Sequence, residues 1–295
     1  AGSGGYKTTS NVVPTALRYT GPIICLDPST EVAPMVVEHR RKKLRREVMV
    51  LDPTNPIMGF NVLDGIETST KKEEDIVGIA HMLLSESVRF ESSTGSYFQN
   101  QAHNLLTGLL AHVMLSPEFD GRRNLRSLRQ MVSEPETSVL AMLRDVQEHS
   151  ASAFIRETLG VFVNMTEQTF SGVYSTASKD TQWLSLDNYA ALVCGNTFKS
   201  AEIAEGKMDV FLNIPASILR SYPGIGRVII GSLINAMIEA DGAFLRRALF
   251  MLDEVDLLGY MRVLEEARDR GRKYGISMML MYQSVGQLER HFGKD

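Results

Sequence analysis

Short apolar runs ending in a polar residue recur along the chain, separated by stretches with helical spacing. Ile23-Ile24-Cys25-Leu26 runs into Asp27, and Glu47-Val48-Met49-Val50-Leu51 is stopped by Asp52-Pro53. Asp209 to Ile214 is closed by Pro215, and Ala248-Leu249-Phe250-Met251-Leu252 leads directly into Asp253-Glu254. Ile276 to Tyr282 is followed by Gln283-Ser284. Continuous rather than alternating apolar runs are how strands covered on both faces look in a parallel sheet. Between them the pattern predicts helices over Thr9–Tyr19, Val32–Leu44, Gly226–Ala240 and about Gly259 to Tyr274. Pro14 falls near the start of the first, where its ring is tolerated or produces a kink. Strands alternating with helices, with polar residues at the strand ends, predict an α/β fold with a parallel sheet.

From about Glu67 to Gly206 the buried-strand runs vanish and helical spacing takes over. Expected helices are Glu73–Ser87, Tyr97–Leu115, Leu125–Val132, Glu136–Ser150, Ala153–Met165 and Thr166–Leu184, with Thr70, Ser96 and Thr166 as start signals. Leu105, Leu109, Leu110 and Val113 recur on one face. Ser92 to Gly95 reads as an exposed loop. The expected organisation is therefore a sheet domain in two parts, residues 1–66 and 207–295. An all-α domain, residues 67–206, with its own core, is inserted between them.

Composition narrows this only a little. In 295 residues, 44% hydrophobic and 22% charged content is ordinary for a soluble globular protein. The formal net charge of -4 makes any nucleic-acid contact a local matter. Cys25 and Cys194 lie far apart in apolar runs, which suggests a reducing compartment and no disulfide framework. The six histidines show no metal-ligand spacing, so no zinc site is expected. There is no signal peptide and no apolar run long enough to cross a bilayer. The run His39-Arg40-Arg41-Lys42-Lys43-Leu44-Arg45-Arg46 reads first as a solvated helix end, its charge suited to a helix C-terminus. The alternative is a contact to DNA or anionic lipid.

Candidate chemistry begins at Ala1-Gly2-Ser3-Gly4-Gly5-Tyr6-Lys7-Thr8-Thr9-Ser10. Glycines let backbone N–H groups converge on an anion, and the helix that follows aims its positive end at the same place. Gly2, Gly4, Gly5, Lys7, Thr8 and Thr9 are the candidate nucleotide contacts, with Lys7 reaching phosphate oxygens and the Thr8 hydroxyl a magnesium ion. The match to G-x-x-x-x-G-K-[ST] is incomplete, since Tyr6 stands at the second glycine and Ala1 at the first. A phosphate loop follows a strand, and this sequence opens inside the loop, so a fragment of a longer chain is expected. Asp253, at the end of the strongest buried strand, is the second candidate magnesium ligand. Glu254 beside it is the candidate base for an attacking water. Gln283, at the end of the last strand, is placed to report on the γ-phosphate.

Taken together these residues resemble the motor domain of conjugative coupling proteins, the TraG/TraD-type ATPases of type IV secretion systems. The resemblance rests on the loop and Leu26-Asp27-Pro28, on Leu51-Asp52-Pro53 with Phe60-Asn61-Val62-Leu63-Asp64, and on Phe250-Met251-Leu252-Asp253-Glu254 with Leu258-Gly259. Gly271-Arg272-Lys273-Tyr274-Gly275 and Tyr282-Gln283-Ser284 complete the set, which spans essentially the whole chain. Tyr6 replaces the family's glycine and Val62 its proline. The resemblance implies a RecA-like P-loop motor that uses ATP and Mg2+ and forms a homo-hexamer. It implies membrane anchoring on the cytoplasmic side of the bacterial inner membrane in the full protein. It implies export of DNA or protein through a secretion channel, with an all-α domain engaging relaxase or effector complexes. It also implies that Arg272 serves a neighbouring subunit as an arginine finger. Two further readings are a related RecA-like DNA pump and an adaptor whose nucleotide site, with Tyr6 in the loop, is vestigial.

Overall fold

The computed structural model describes residues 8–84 and 93–292. A π-helical turn, Thr8–Val12, runs straight into α1 (Val13–Arg18), so Pro14 stands inside a continuous helical run, where its missing N–H accompanies the local departure from α geometry. Then follow β1 (Ile23–Leu26), α2 (Val32–Lys42), β2 (Glu47–Leu51) and α3 (Asp64–Thr68). The helical block comprises α4 (Lys72–Leu83), α5 (Ser93–Leu115), α6 (Leu125–Met131), α7 (Glu136–His149), α8 (Ala153–Val163), α9 (Glu167–Asp180) and α10 (Asp187–Cys194). The chain returns through β3 (Met208–Leu212), α11 (Ala216–Ser221), α12 (Pro223–Glu239), β4 (Ala248–Leu252), α13 (Arg262–Arg270), β5 (Ile276–Leu280) and α14 (Val285–Phe292).

The five strands form one parallel sheet in the order β2-β3-β1-β4-β5. All are drawn from the two stretches that flank the helical block. Alternation along each strand divides the buried side chains between two faces. Ile23, Cys25, Val48, Phe211 and Met251 pack with Val12, Ala16, Val32 and Val36 under α1 and α2. Ile24, Leu26, Val210, Leu212, Phe250 and Leu252 face α12 and α13, and their cluster continues without a break into the helical block.

That block is built around α5, which packs against α4, α6, α8 and α9. Segments leaving and re-entering the sheet region lie side by side. Phe60 N–H donates to Leu192 O (3.2 Å), Val62 N–H to Val193 O (3.1 Å) and Thr197 N–H to Gly59 O (2.9 Å). A Cβ on Gly59 would fall 2.0 Å from Ala191 O, and one on Gly195 2.5 Å from Gly59 C, so only glycines allow this crossing.

Helix ends differ from expectation where tertiary packing or a side-chain bond intervenes. Helix α5 begins at Ser93, through the stretch expected as a loop, because Phe98 in its early turns packs onto Gly172 of α9. The helix expected over Thr166–Leu184 ends at Asp180, since the buried Thr181 hydroxyl bonds back to Ala177 O (2.8 Å) and Trp183 turns inward. Thr166 does cap α9, its side chain accepting from Thr169 N–H. Asn124 and Ser152, unforeseen, cap α6 and α8 in the same way. Helices α3, α10, α11 and α14 were not expected.

The basic run is the largest correction. Arg40 is fully buried and Arg46 is 8% exposed, so neither is a solvated charge nor available to DNA. Both reach Asp209, itself fully buried near the start of β3: Arg40 Nε to Oδ2 at 2.6 Å, Arg46 Nε to Oδ1 at 3.1 Å. Their remaining donors go to the carbonyls of Ala16, Tyr19, Gly21, Gly206 and Met208, and Asp209 also accepts from Ile23 N–H (3.0 Å). Arg41, Lys42, Lys43 and Arg45 are the solvated members of the run.

Replacing Asp209 by Ala would strand two buried guanidinium groups. We expect a loss of about 3–5 kcal/mol in denaturant-induced unfolding. A loss below about 1 kcal/mol would show that water already screens this cluster.

Candidate active site

Parallel strands bring their carboxyl ends to one edge, and the polar residues that close them gather there. Asp253 N–H donates to Leu26 O (3.3 Å), Asp27 N–H to Leu212 O (3.0 Å), Asn213 N–H to Leu51 O (2.9 Å) and Met281 N–H to Leu252 O (3.0 Å). Asp27, Asp52, Asn213, Asp253 and the approach to Gln283 therefore lie in one row.

Within this row the residues take different tasks. Asp27 is buried and turned into its own loop, accepting from Ser29 Oγ (2.7 Å) and from Val32 N–H (2.7 Å) at the first turn of α2. Asp52 accepts from Thr54 and from Asn213 Nδ2 (2.7 Å). Partial burial raises its pKa, but bonds from Thr54, Asn213 and Asn55 outweigh that and hold it below the usual carboxylate value. These two carboxylates serve the loops.

Asp253, Glu254 and Gln283 form a connected group. Asp253 Oδ1 accepts the Glu254 N–H at 2.9 Å, and Gln283 Nε2 donates to Glu254 Oε1 at 2.9 Å. Gln283 N–H is in turn held by Gln287 Oε1 (2.7 Å) from α14. Glu254 has φ 48° and ψ 47°, a left-handed backbone that costs an L-residue about 1–2 kcal/mol. It is held there because Val255 N–H bonds to Met281 O (3.3 Å) and Leu257 N–H to Glu254 O (2.9 Å) in the 3-10 turn Val255–Leu258. The turn aims the carboxylate along the sheet edge at β5 instead of outward, and strain of this kind concentrates at functional sites.

Helix α1 ends at the opposite edge, where the Tyr19 hydroxyl donates to Arg247 O (2.9 Å) just before β4. The helical run from Thr8 to Arg18 rises about 16 Å, close to the length of a five-residue strand. Thr8, half-buried, and the exposed Thr9 thus come level with the carboxyl ends. Gly2, Gly4, Gly5 and Lys7 lie outside the described residues. Arg272 is exposed in the turn that precedes β5, so it sits at the amino edge, away from Glu254.

Both cysteines are free thiols. Burial pushes Cys25 well above the usual thiol range and Cys194 up to about 11, so neither is a nucleophile at neutral pH. Among the described residues no helix is long and apolar enough to cross a membrane.

The family described as "Type IV secretory system Conjugative DNA transfer" matches residues 1–295. The chain belongs to that family. It is 62% identical over 300 residues to the type IV secretion system-coupling protein VirD4 of Bartonella henselae, which covers 100% of this chain and 47% of the relative. It is 48% identical over 295 residues to the conjugal transfer protein TraG of Rhizobium radiobacter, covering 99% and 46%. This type IV secretion coupling-protein chain thus spans about half the length of those relatives. Its fold is similar to that of the bacterial conjugative coupling protein TrwBdeltaN70, with TM-score 0.61 and 13% identity over 93% of this chain and 64% of that one. A structure of the plasmid coupling protein TrwB in complex with ADP and Mg2+ aligns with TM-score 0.56 and 14% identity, covering 95% and 68%. The α/β, RecA-like assignment of the fold stands on these matches and on the parallel sheet.

One buried residue at this edge escaped the sequence reading. Arg227, in the first turns of the apolar helix α12, is 3% exposed and bonds to Leu258 O (3.0 Å) behind the Glu254 turn. A lone cation in an otherwise apolar helical run was the available signal.

Because the left-handed backbone at residue 254 is imposed by its surroundings, Glu254→Gly should be no less stable than the wild type in thermal unfolding. Glu254→Val should lose about 1–2 kcal/mol more than Glu254→Gly. Equal stabilities would mean that the turn is not held in this conformation.

Proposed function

We propose that this chain is the motor portion of an ATP-driven coupling protein that recruits DNA or protein substrates and pumps them into a type IV secretion channel. The observation that carries the reading is the connected Asp253–Glu254–Gln283 group at the carboxyl edge of the sheet. In this reading Gly2, Gly4, Gly5, Lys7, Thr8 and Thr9 bind ATP. An acid at a strand end and a hydroxyl at a helix start form an all-oxygen donor pair that suits Mg2+, and Asp253 and Thr8 would hold it. There it would neutralise developing phosphate charge.

Glu254 takes a proton from the attacking water as that oxygen bonds to the γ-phosphorus and the bond to ADP breaks. Gln283 fixes the Glu254 carboxylate and relays its position to β5 and α14. Arg272, remote from its own subunit's Glu254, acts in trans on the next subunit of a homo-hexamer, anchored at the cytoplasmic face of the inner membrane. Residues 67–206 form the inserted all-α domain that meets relaxase or effector complexes. The parts 1–66 and 207–295 form the motor.

In the full-length assembly, Glu254→Gln should keep ATP binding and lose turnover, because the base goes while the adjoining carboxylate stays. Turnover at the wild-type rate would remove Glu254 from the chemistry.

Mixed rings of Arg272→Ala and Lys7→Ala subunits should recover part of the activity that each variant lacks alone, since fingers supplied in trans are worth on the order of 10³–10⁵ in rate. Demonstrated mixed rings without recovery would place Arg272 outside the mechanism.

A further inference from the structure

Arg227 joins two parts of the chain that are distant in sequence. Its Nε donates to Met82 O at 2.7 Å and its Nη2 to Leu83 O at 3.3 Å, buried carbonyls of the last turn of α4 that have no donor within the helix. Its Nη1 donates to Leu258 O at 3.0 Å, the last residue of the 3-10 turn that Glu254 opens. One planar, permanently charged fork thus spans the first helix of the helical block and the turn that aims the candidate base. Contact between the elements is tight elsewhere too. A Cβ on Gly226 would fall 2.6 Å from Leu258 Cδ2, and one on Gly231, a turn further along α12, 2.1 Å from Met82 Sδ. Helix α12 is therefore wedged between α4 on one side and the Glu254 turn on the other.

We infer that Arg227 is a positioning residue that couples α4 to the Glu254 turn, so that displacement of the helical block changes the aim of the catalytic carboxylate. The inference rests on the assignment of Glu254 as base. A guanidinium has fixed geometry, so a shift of the α4 carbonyls moves the fork, and the fork moves Leu258 O. Four residues earlier the chain is at Glu254, whose left-handed backbone and single bond to Gln283 give it little freedom to absorb the shift. Misplacing a catalytic group by about 1 Å can cost on the order of 10²-fold in rate. Substrate engagement on the helical block would reach hydrolysis by this route, without touching the nucleotide.

A double-mutant cycle in the full-length assembled protein tests this, reading kcat for ATP and affinity for a non-hydrolysable ATP analogue. Arg227→Lys keeps the charge but cannot span both sides. Gly231→Ala pushes on Met82 and leaves Arg227 and Glu254 chemically intact. Each should lower kcat about tenfold while analogue affinity stays within about twofold. The double variant should be no slower than the slower single one, since both cut the same link. Losses that multiply, or that track analogue affinity or the folded fraction in thermal unfolding, would overturn the coupling. Should Arg227→Lys not fold, Gly231→Ala decides alone: a lowered kcat at retained affinity supports the link, and an unchanged kcat refutes it. Glu254→Gln is measured alongside. If it turns over normally, the base assignment fails and this inference with it; if it is inactive while the losses multiply, only the role of Arg227 fails.

Discussion

The buried Arg40–Asp209–Arg46 cluster is the constraint on which the arrangement of the sheet depends. Asp209 sits one residue inside β3, the strand that follows the helical block, yet every partner but the local carbonyls comes from the first part of the chain. Through it the end of α2, the turn after α1, the entry to β2 and the start of β1 are tied to one carboxylate. Two guanidinium groups taken out of water are costly unless their donors are met, and here Asp209 and backbone carbonyls take all five donors of Arg40 and bind all three nitrogens of Arg46. The demand is geometric as much as energetic. It pins the amino ends of β1, β2 and β3 in one register, and parallel strands so pinned must bring their carboxyl ends out together.

At that outer edge the chemistry divides by environment. Asp27 and Asp52 are consumed by loop hydrogen bonds, whereas Asp253 and Glu254 are linked to each other and, through Gln283, to the last strand. A chain of hydrogen bonds thus runs from the end of β4 to the end of β5 and on to α14. Arg227 extends the same logic across α12 to the helical block. The helical block and the sheet region share one continuous buried cluster instead of the separate core expected for the block, so motion in one has a packed route into the other.

Much of this was legible in the residues. Continuous apolar runs, closed by Asp27, Asp52, Pro215, Asp253 and Gln283, located the five described strands, because such runs carry little polar alternation to confuse the reading. The polar residues at their ends could be found for the same reason: an Asp, Glu or Gln directly after a buried strand has one place to go. What failed had a long-range cause. Nothing local distinguishes Arg40 and Arg46 from Arg41 and Lys42; their partner Asp209 lies 169 and 163 residues away. Arg227 was overlooked because its acceptors are backbone carbonyls, which carry no sequence signature. The start of α5 moved because Phe98 meets a glycine on another helix, and the end of α9 because a threonine bonded its own backbone. Gly2 to Lys7 lie outside the described residues, and the weight of the site falls on Asp253, Glu254 and Gln283.

The central claim is that hydrolysis belongs to the carboxyl edge of this sheet, with Glu254 as base. The most direct measurement is a structure of the full-length assembly with Mg2+ and a non-hydrolysable ATP analogue. The account predicts the metal between Thr8 and Asp253, the terminal phosphate facing Glu254 and Gln283, and Arg272 of the partner subunit near that phosphate. Nucleotide bound at the amino edge, or at the carboxyl edge with Glu254 turned away from the terminal phosphate, would contradict it.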